Sequence, residues 1–215
     1  FRYFIPRFFS GAWREPFFPL SKPGQRFLKE GYSGGVMKEI YDNDPKHAGL
    51  GTAIFQGYPL HRAVYDRLQL LHEHIEPELE KRLQSQDEVT VFTAPSGYAY
   101  DLFRPLESIA RRTPALMKKV KLMAADLDPH GVLAPELSAL AAKLGIHFEF
   151  RQGDLSKADF REACAANGPF DLALFVGLSS WFPKPATLKH LRWLKQNLKS
   201  PGKLVTDCFT PAGYS

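Results

Sequence analysis

The sequence predicts an α/β protein, a doubly wound and mostly parallel sheet preceded by a helical and irregular cap. Three observations lead there. From Glu88 onward, short β-branched and apolar runs alternate with stretches of helical periodicity, the pattern of a parallel sheet with helices on both faces. The run Phe170-Asp-Leu-Ala-Leu-Phe-Val176 is almost wholly apolar, as a central strand covered on both sides must be. Before Gln86, by contrast, Pro16, Pro19, Pro23, Gly24, Gly31, Gly34 and Gly35 break any strand rhythm. The chain therefore divides into a cap region, 1–86, and a core, 87–215.

In the cap, Leu60, Val64, Leu68, Leu71 and Ile75 form one apolar stripe, which predicts a helix from about Pro59 to Leu83. Pro77 is expected to bend or divide it. In the core, 88–93 is the first strand and 119–125 the second, ending at Asp126. A helix follows, with Asp128 as its cap, Pro129 in its first turn, a stripe at Leu133, Leu137, Leu140 and Leu144, and Gly145 as its stop. Residues 146–150 alternate apolar and polar side chains and make the third strand. Ser156 and Asp159 have capping-box spacing for a helix closed by Gly168. After the fourth strand, Leu188, Leu191, Leu194 and Leu198 mark a last helix. Ser200-Pro201-Gly202 would end it, ahead of a fifth strand at 203–209.

Composition narrows the classes. The 215 residues are 44% hydrophobic and 24% charged, enough apolar matter to offset the chain entropy lost on folding, so a disordered or collagen-like chain is excluded. Cys164 and Cys208 are too few for a disulfide framework, which points to a reducing, cytoplasmic setting. No apolar run approaches the ~20 residues of a membrane span. The N-terminus lacks the blocks of a secretory signal, and the missing initiator Met suggests a trimmed chain. Metal binding is not expected. His72 and His74 are two apart on a helix and point to different faces, while His47, His61, His130, His147 and His190 lack ligand spacing.

In an open parallel sheet, ligands bind beyond the carboxyl ends of the strands. The segments there are Thr93-Ala94-Pro95-Ser96-Gly97-Tyr98, Asp126-Leu127-Asp128-Pro129, Gln152-Gly153-Asp154-Leu155 and Gly177-Leu178-Ser179-Ser180-Trp181. A carboxylate at a strand end can accept a bond from each hydroxyl of a ribose, and such charge-assisted bonds are strong. A Leu beside an Asp offers an adenine a flat apolar contact and an acceptor for its amine. Backbone N–H groups at a glycine turn entering a helix suit a small carboxylate. Asp154 could equally be a plain turn former.

Over about residues 87–209, this set resembles the class I S-adenosylmethionine-dependent methyltransferases. The resemblance implies a Rossmann-like methyltransferase core, with Ala94, Ser96 and Gly97 at the turn holding the amino-acid end of S-adenosylmethionine. It makes Asp126 the ribose acid, Leu127 the adenine-packing side chain, and Asp154 with Leu155 the adenine pair. Gly177 opens the turn that borders the substrate. The family's Gly-x-Gly-x-Gly turn is reduced here to Gly97, and Pro95 removes a donor. Asp171 matches an acid that the family keeps for structural reasons. The family's sheet carries two further strands after the fifth; the sequence stops at Ser215, six residues past Phe209, so those strands are expected to lie beyond a cut or to be supplied by another chain.

The resemblance implies in-line methyl transfer to a small, aromatic or apolar acceptor, with S-adenosylhomocysteine as product. Two alternatives stay open: a cofactor-binding or interaction module whose turn has decayed, and a nicotinamide-dependent oxidoreductase. The second lacks its Gly-x-Gly-x-x-Gly. No residue stands out as a catalytic base, and oligomeric state is open. Pro105 suggests that the helix after the first strand begins near Arg104, leaving Tyr98 and Tyr100 to contact substrate or pack on the sheet rim.

Ten of the 28 aromatic residues lie within 1–32, and seven Lys and Arg against three acids lie within 1–40. Prolines break any continuous face, so the segment gives no strong nucleic-acid signal and no interfacial anchor. It is expected to cap the carboxyl edge of the sheet and to line an apolar acceptor pocket.

Overall fold

The computed structural model describes residues 12–31, 33–42, 49–177 and 183–207. Expectations placed on 1–11, Tyr32, His47, the turn at 178–181, Cys208 and Phe209 lie outside them. The chain divides into two compact units, the first through Glu73 and the second from His74.

The first unit is helical. A 3-10 segment, Ala12–Leu20, leads into α1 (Lys22–Glu30), α2 (Gly34–Asp42), α3 (Leu50–Gln56) and the first half of α4 (Pro59–Ser85). Ser21 caps α1, its hydroxyl accepting from Gly24 N at 3.1 Å. The long helix α4 forms over the expected stripe and runs unbroken through Pro77. Phe18, Val36, Ile40, Phe55 and Val64 are buried together as the core of this unit. His61 lies inside the aromatic cluster, with ring centroids at 4.1 Å from Phe55, 5.1 Å from Tyr58 and 5.4 Å from Phe27. Its Nδ1 is 2.7 Å from the Phe55 carbonyl.

Burial pushes the His61 pKa down from 6.5 to about 4, against the raising effect of the Phe55 carbonyl. The folded state keeps the ring neutral while the unfolded chain protonates below 6.5. Its contribution is therefore intact above that pH and is lost as pH falls toward 4. The full loss is about 3 kcal/mol at 1.36 kcal/mol per pKa unit. Urea unfolding at pH 7.5 and pH 4.5 should show a smaller loss in His61→Phe than in the wild type; equal losses would refute the assignment.

The second unit is an open α/β sheet. Its elements are β1 (Val89–Thr93), α5 (Tyr100–Arg112), β2 (Val120–Asp126), α6 (Leu133–Leu144), β3 (His147–Gln152), α7 (Ala158–Ala165), β4 (Phe170–Phe175), α8 (Lys184–Gln196) and β5 (Leu198–Thr206). All four strand pairings are parallel, in the order β3-β2-β1-β4-β5. The chain winds outward from β1 through β2 to β3, then returns to lay β4 on the other side of β1. Right-handed crossovers consequently put α5 and α6 on one face and α7 and α8 on the other. The fold is Rossmann-like.

Side chains alternate accordingly. Phe92, Met123, Ala125, Ala173 and Phe175 pack with Phe160 and Cys164 of α7 and with Leu191, Trp193 and Leu194 of α8. Val91, Leu122, Leu172 and Leu174 point the other way and are also buried. On that side Phe103 of α5 meets Phe148 of β3, with ring centroids 6.2 Å apart. Ser108 and Arg112 of α5 bond Glu76 of α4 at 2.9 and 2.7 Å. Among the described residues no helix is long and apolar enough to cross a membrane.

Four boundaries differ from expectation. Helix α5 begins at Tyr100 rather than near Arg104, with a buried Pro105 inside it. A proline in the second turn forfeits one bond to the first-turn carbonyl and still fits. Helix α6 begins at Leu133, four residues later than expected, because Asp128 lies at φ +35°. Its carboxylate reaches forward instead, accepting from Val132 N and Leu133 N at 3.0 Å each. Helix α7 begins at Ala158 with Lys157 as cap residue, so Ser156 does not cap it. Helix α8 stops at Gln196, and Ser200, Pro201 and Gly202 lie within β5, on the edge of the sheet where a proline's missing N–H is tolerated.

Candidate functional site

The strand order reverses between β1 and β4, so the carboxyl ends of these two strands flank the ligand crevice of an open sheet. Ala94 N donates to Leu174 O at 3.1 Å and ties the two ends together. The backbone then turns sharply. Gly97 has φ +46°, and a Cβ placed there would meet no atom within 4 Å. Its glycine therefore serves the left-handed conformation, not a close contact. Ala99 also lies in the left-handed region, at φ +48°, immediately before α5.

Asp126 organises this turn. Its Oδ2 accepts from Gly97 N at 2.8 Å, and its Oδ1 from Asp128 N at 3.2 Å. Ser96 N donates to Ala125 O at 2.9 Å, and Gly153 N to Asp126 O at 2.8 Å. The three turns after β1, β2 and β3 are thus fastened at the end of β2. A carboxylate offers about four acceptor positions. Two are taken by these amides and two remain. Beside it Leu127 is 60% exposed, an apolar side chain held out at a strand end.

Asp154 occupies the turn after β3. It accepts from Ser156 N at 2.8 Å and from the Ser156 hydroxyl at 2.7 Å. The Ser156 hydroxyl, then its amide, hold the Asp154 carboxyl below the usual range, so it is an acceptor at neutral pH. Leu155 is buried in the core beneath the turn. Gly177, at φ +89°, follows β4, and its N–H donates to Asp207 Oδ1 at 2.9 Å. Of the eight expected site residues, Ala94, Ser96 and Gly97 belong to the turn after β1, Asp126 ends β2 and Leu127 opens the turn after it, Asp154 and Leu155 belong to the turn after β3, and Gly177 to the start of the turn after β4.

Four supporting residues escape a linear reading. Gln152 donates its amide to Leu127 O at 3.3 Å and to Asp128 O at 2.7 Å, holding the turn around Leu127. Arg161 is buried and donates to Leu155 O at 2.7 Å and Ser156 O at 2.8 Å. Asp207 anchors Gly177 from the far end of β5. His190 is buried in α8 with its ring 5.7 Å from that of Phe175. Burial, then Arg161 and Lys189, lower the His190 pKa, while Asp154 opposes them. No sequence motif marks these residues, because each acts on a segment distant in the chain or on backbone carbonyls.

Tyr98 and Tyr100 stack with centroids 6.1 Å apart, and the Arg104 guanidinium lies 5.0 Å over the Tyr100 ring. His61 belongs to the aromatic core of the first unit, and Asp171 lies at the opposite, amino-terminal end of the sheet. Compared with family models and with curated proteins, the chain matches none of them.

Proposed function

We propose that the chain binds S-adenosylmethionine at the carboxyl edge of its sheet and methylates a small aromatic or apolar acceptor. The observation that carries this reading is the Asp126 carboxylate. It stands at the end of β2, fixed by Gly97 N and Asp128 N, with two acceptor positions left for a pair of vicinal hydroxyls. Leu127 beside it offers a flat apolar contact, and the ionised Asp154 offers an acceptor for an exocyclic amine. Asp126 and Asp154 would orient the nucleoside, while the turn from Ser96 into α5 would bound the amino-acid end. When bound, the cofactor supplies an electrophilic methyl group for in-line attack by an O, N, S or C nucleophile. The protein's share of such a reaction is largely positioning.

The turn also supports a second reading. Pro95 has no N–H, and Gly97 N already donates to Asp126, so the turn offers fewer donors to a carboxylate than a three-glycine turn would. A binding module that holds the nucleoside without transferring a methyl group fits that feature. Transfer of radiolabelled methyl from S-adenosylmethionine to a panel of phenols, indoles and alkyl thiols separates the two. Labelled product is the expected result. Binding without any labelled product, across the panel and a metabolite extract, would favour the module.

A further inference from the structure

Helix α8 carries Lys184, Lys189, Arg192 and Lys195 and not one acid. In the sequence these cations are dispersed among apolar residues and attract no notice. At 100° per residue the helix gathers them. Lys184, Leu188, Lys189, Arg192 and Lys195 are all exposed and share one outward arc, while His190 and Leu194 are buried and Leu191 and Trp193 pack on the sheet. Several cations elsewhere among the described residues have carboxylate partners, such as Arg62 with Asp66, Arg112 with Glu80 and Lys121 with Glu88. None of the four on α8 forms an ion pair among the described residues.

Three partners suit a cationic surface, and the outward face of α8 discriminates among them. A helix lying in a membrane interface inserts a row of apolar side chains. A protein interface has an apolar centre. Among the described residues the only large apolar side chain on this arc is Leu188, at 40% exposure; the other large apolar side chains of α8 face the core. A phosphate backbone needs cations alone, without an apolar centre. From Lys184 to Lys195 the row is about 16 Å long at 1.5 Å per residue. Along that length each of the four cations can meet a phosphate of one strand. The excess of 28 Lys and Arg over 23 Asp and Glu adds long-range attraction for the same polymer.

We infer that the outward face of α8 is a docking surface for the phosphate backbone of a nucleic-acid strand, without base selectivity. The inference stands apart from the methyltransferase reading and does not require it. Fluorescence anisotropy of the full chain with a labelled mixed-sequence RNA oligonucleotide, across a potassium chloride series, tests it. Binding is expected at low salt, with a log–log salt slope of about −3 for four contacts. Lys189→Glu with Arg192→Glu should weaken binding by about tenfold or more and reduce the slope by about half. The double reversal of Arg111 and Lys118 to Glu, off this face, should leave most of the affinity. Melting curves establish that each variant is folded. No binding at low salt would overturn the inference, as would equal losses in both double variants. Binding to phosphatidylserine–phosphatidylcholine vesicles without binding to RNA would overturn it too, in favour of a membrane surface.

Discussion

Replacing Asp126 by Ala is expected to weaken S-adenosylmethionine binding by about a hundredfold in a calorimetric titration. Hydrogen bonds to a charged group contribute about 1.5–3 kcal/mol each, and two bonds to ribose hydroxyls would be lost. At about 1.4 kcal/mol per decade, even the low end gives two orders of magnitude. The turn suffers as well, because Gly97 N and Asp128 N lose their common acceptor. Asp126→Asn separates the contributions. It keeps one acceptor oxygen and removes the charge, so its affinity should fall between those of the wild type and the Ala variant. An Ala variant that melts like the wild type and binds equally well would refute the ribose assignment.

The second large effect is on stability, at the other end of the sheet. Asp171 is buried near the start of β4. Its Oδ2 accepts from Thr90 N at 2.8 Å and from Lys199 Nζ at 2.6 Å, and Arg82 lies 3.6 Å from Oδ1. One carboxylate therefore joins α4, β1, β4 and β5. Asp171→Ala would leave the Thr90 amide without its acceptor and Lys199 without its counter-charge, and would remove one of the two carboxylates beside Arg82. Breaking a buried pair from one side costs about 3–5 kcal/mol. The low end applies here, since Lys199 is partly exposed and Arg82 keeps Glu78 at 2.7 Å and Pro201 O at 3.0 Å. Urea unfolding of the variant should thus show a loss of about 3 kcal/mol. Cofactor affinity should stay unchanged, because Asp171 stands at the opposite end of the strands. A loss below about 1 kcal/mol would mean that water replaces these bonds.

The fold was legible where one rule dominated. The apolar run at 170–175 had to be a central strand and the β-branched run at 89–93 a strand, and both are fully buried. Boundaries failed where side chains override local signals. Asp128-Pro129 has the look of a helix start, yet Asp128 folds into a positive-φ turn and caps α6 from five residues away. Ser200-Pro201-Gly202 has the look of a terminator, yet at a sheet edge it is carried as a bulge against Phe170 and Leu172.

The places of the candidate site residues in the fold were legible to the same degree. Asp126 and Asp154 follow strands, so topology alone carries them to the carboxyl edge. What holds them is another matter. Gln152, Arg161 and Asp207 act through backbone atoms of other segments, and such partnerships leave no spacing to read. The cations of α8 become a surface only when wound on a helix whose other side is known to be buried.

The most direct measurement is a calorimetric titration of the full chain with S-adenosylmethionine, S-adenosylhomocysteine and a reduced nicotinamide dinucleotide in parallel. Saturable heat at one site per chain is expected for the first two ligands and none for the third. Silence with both adenosyl ligands, or saturable binding of the dinucleotide alone, would contradict the assignment of the carboxyl-edge turns to S-adenosylmethionine.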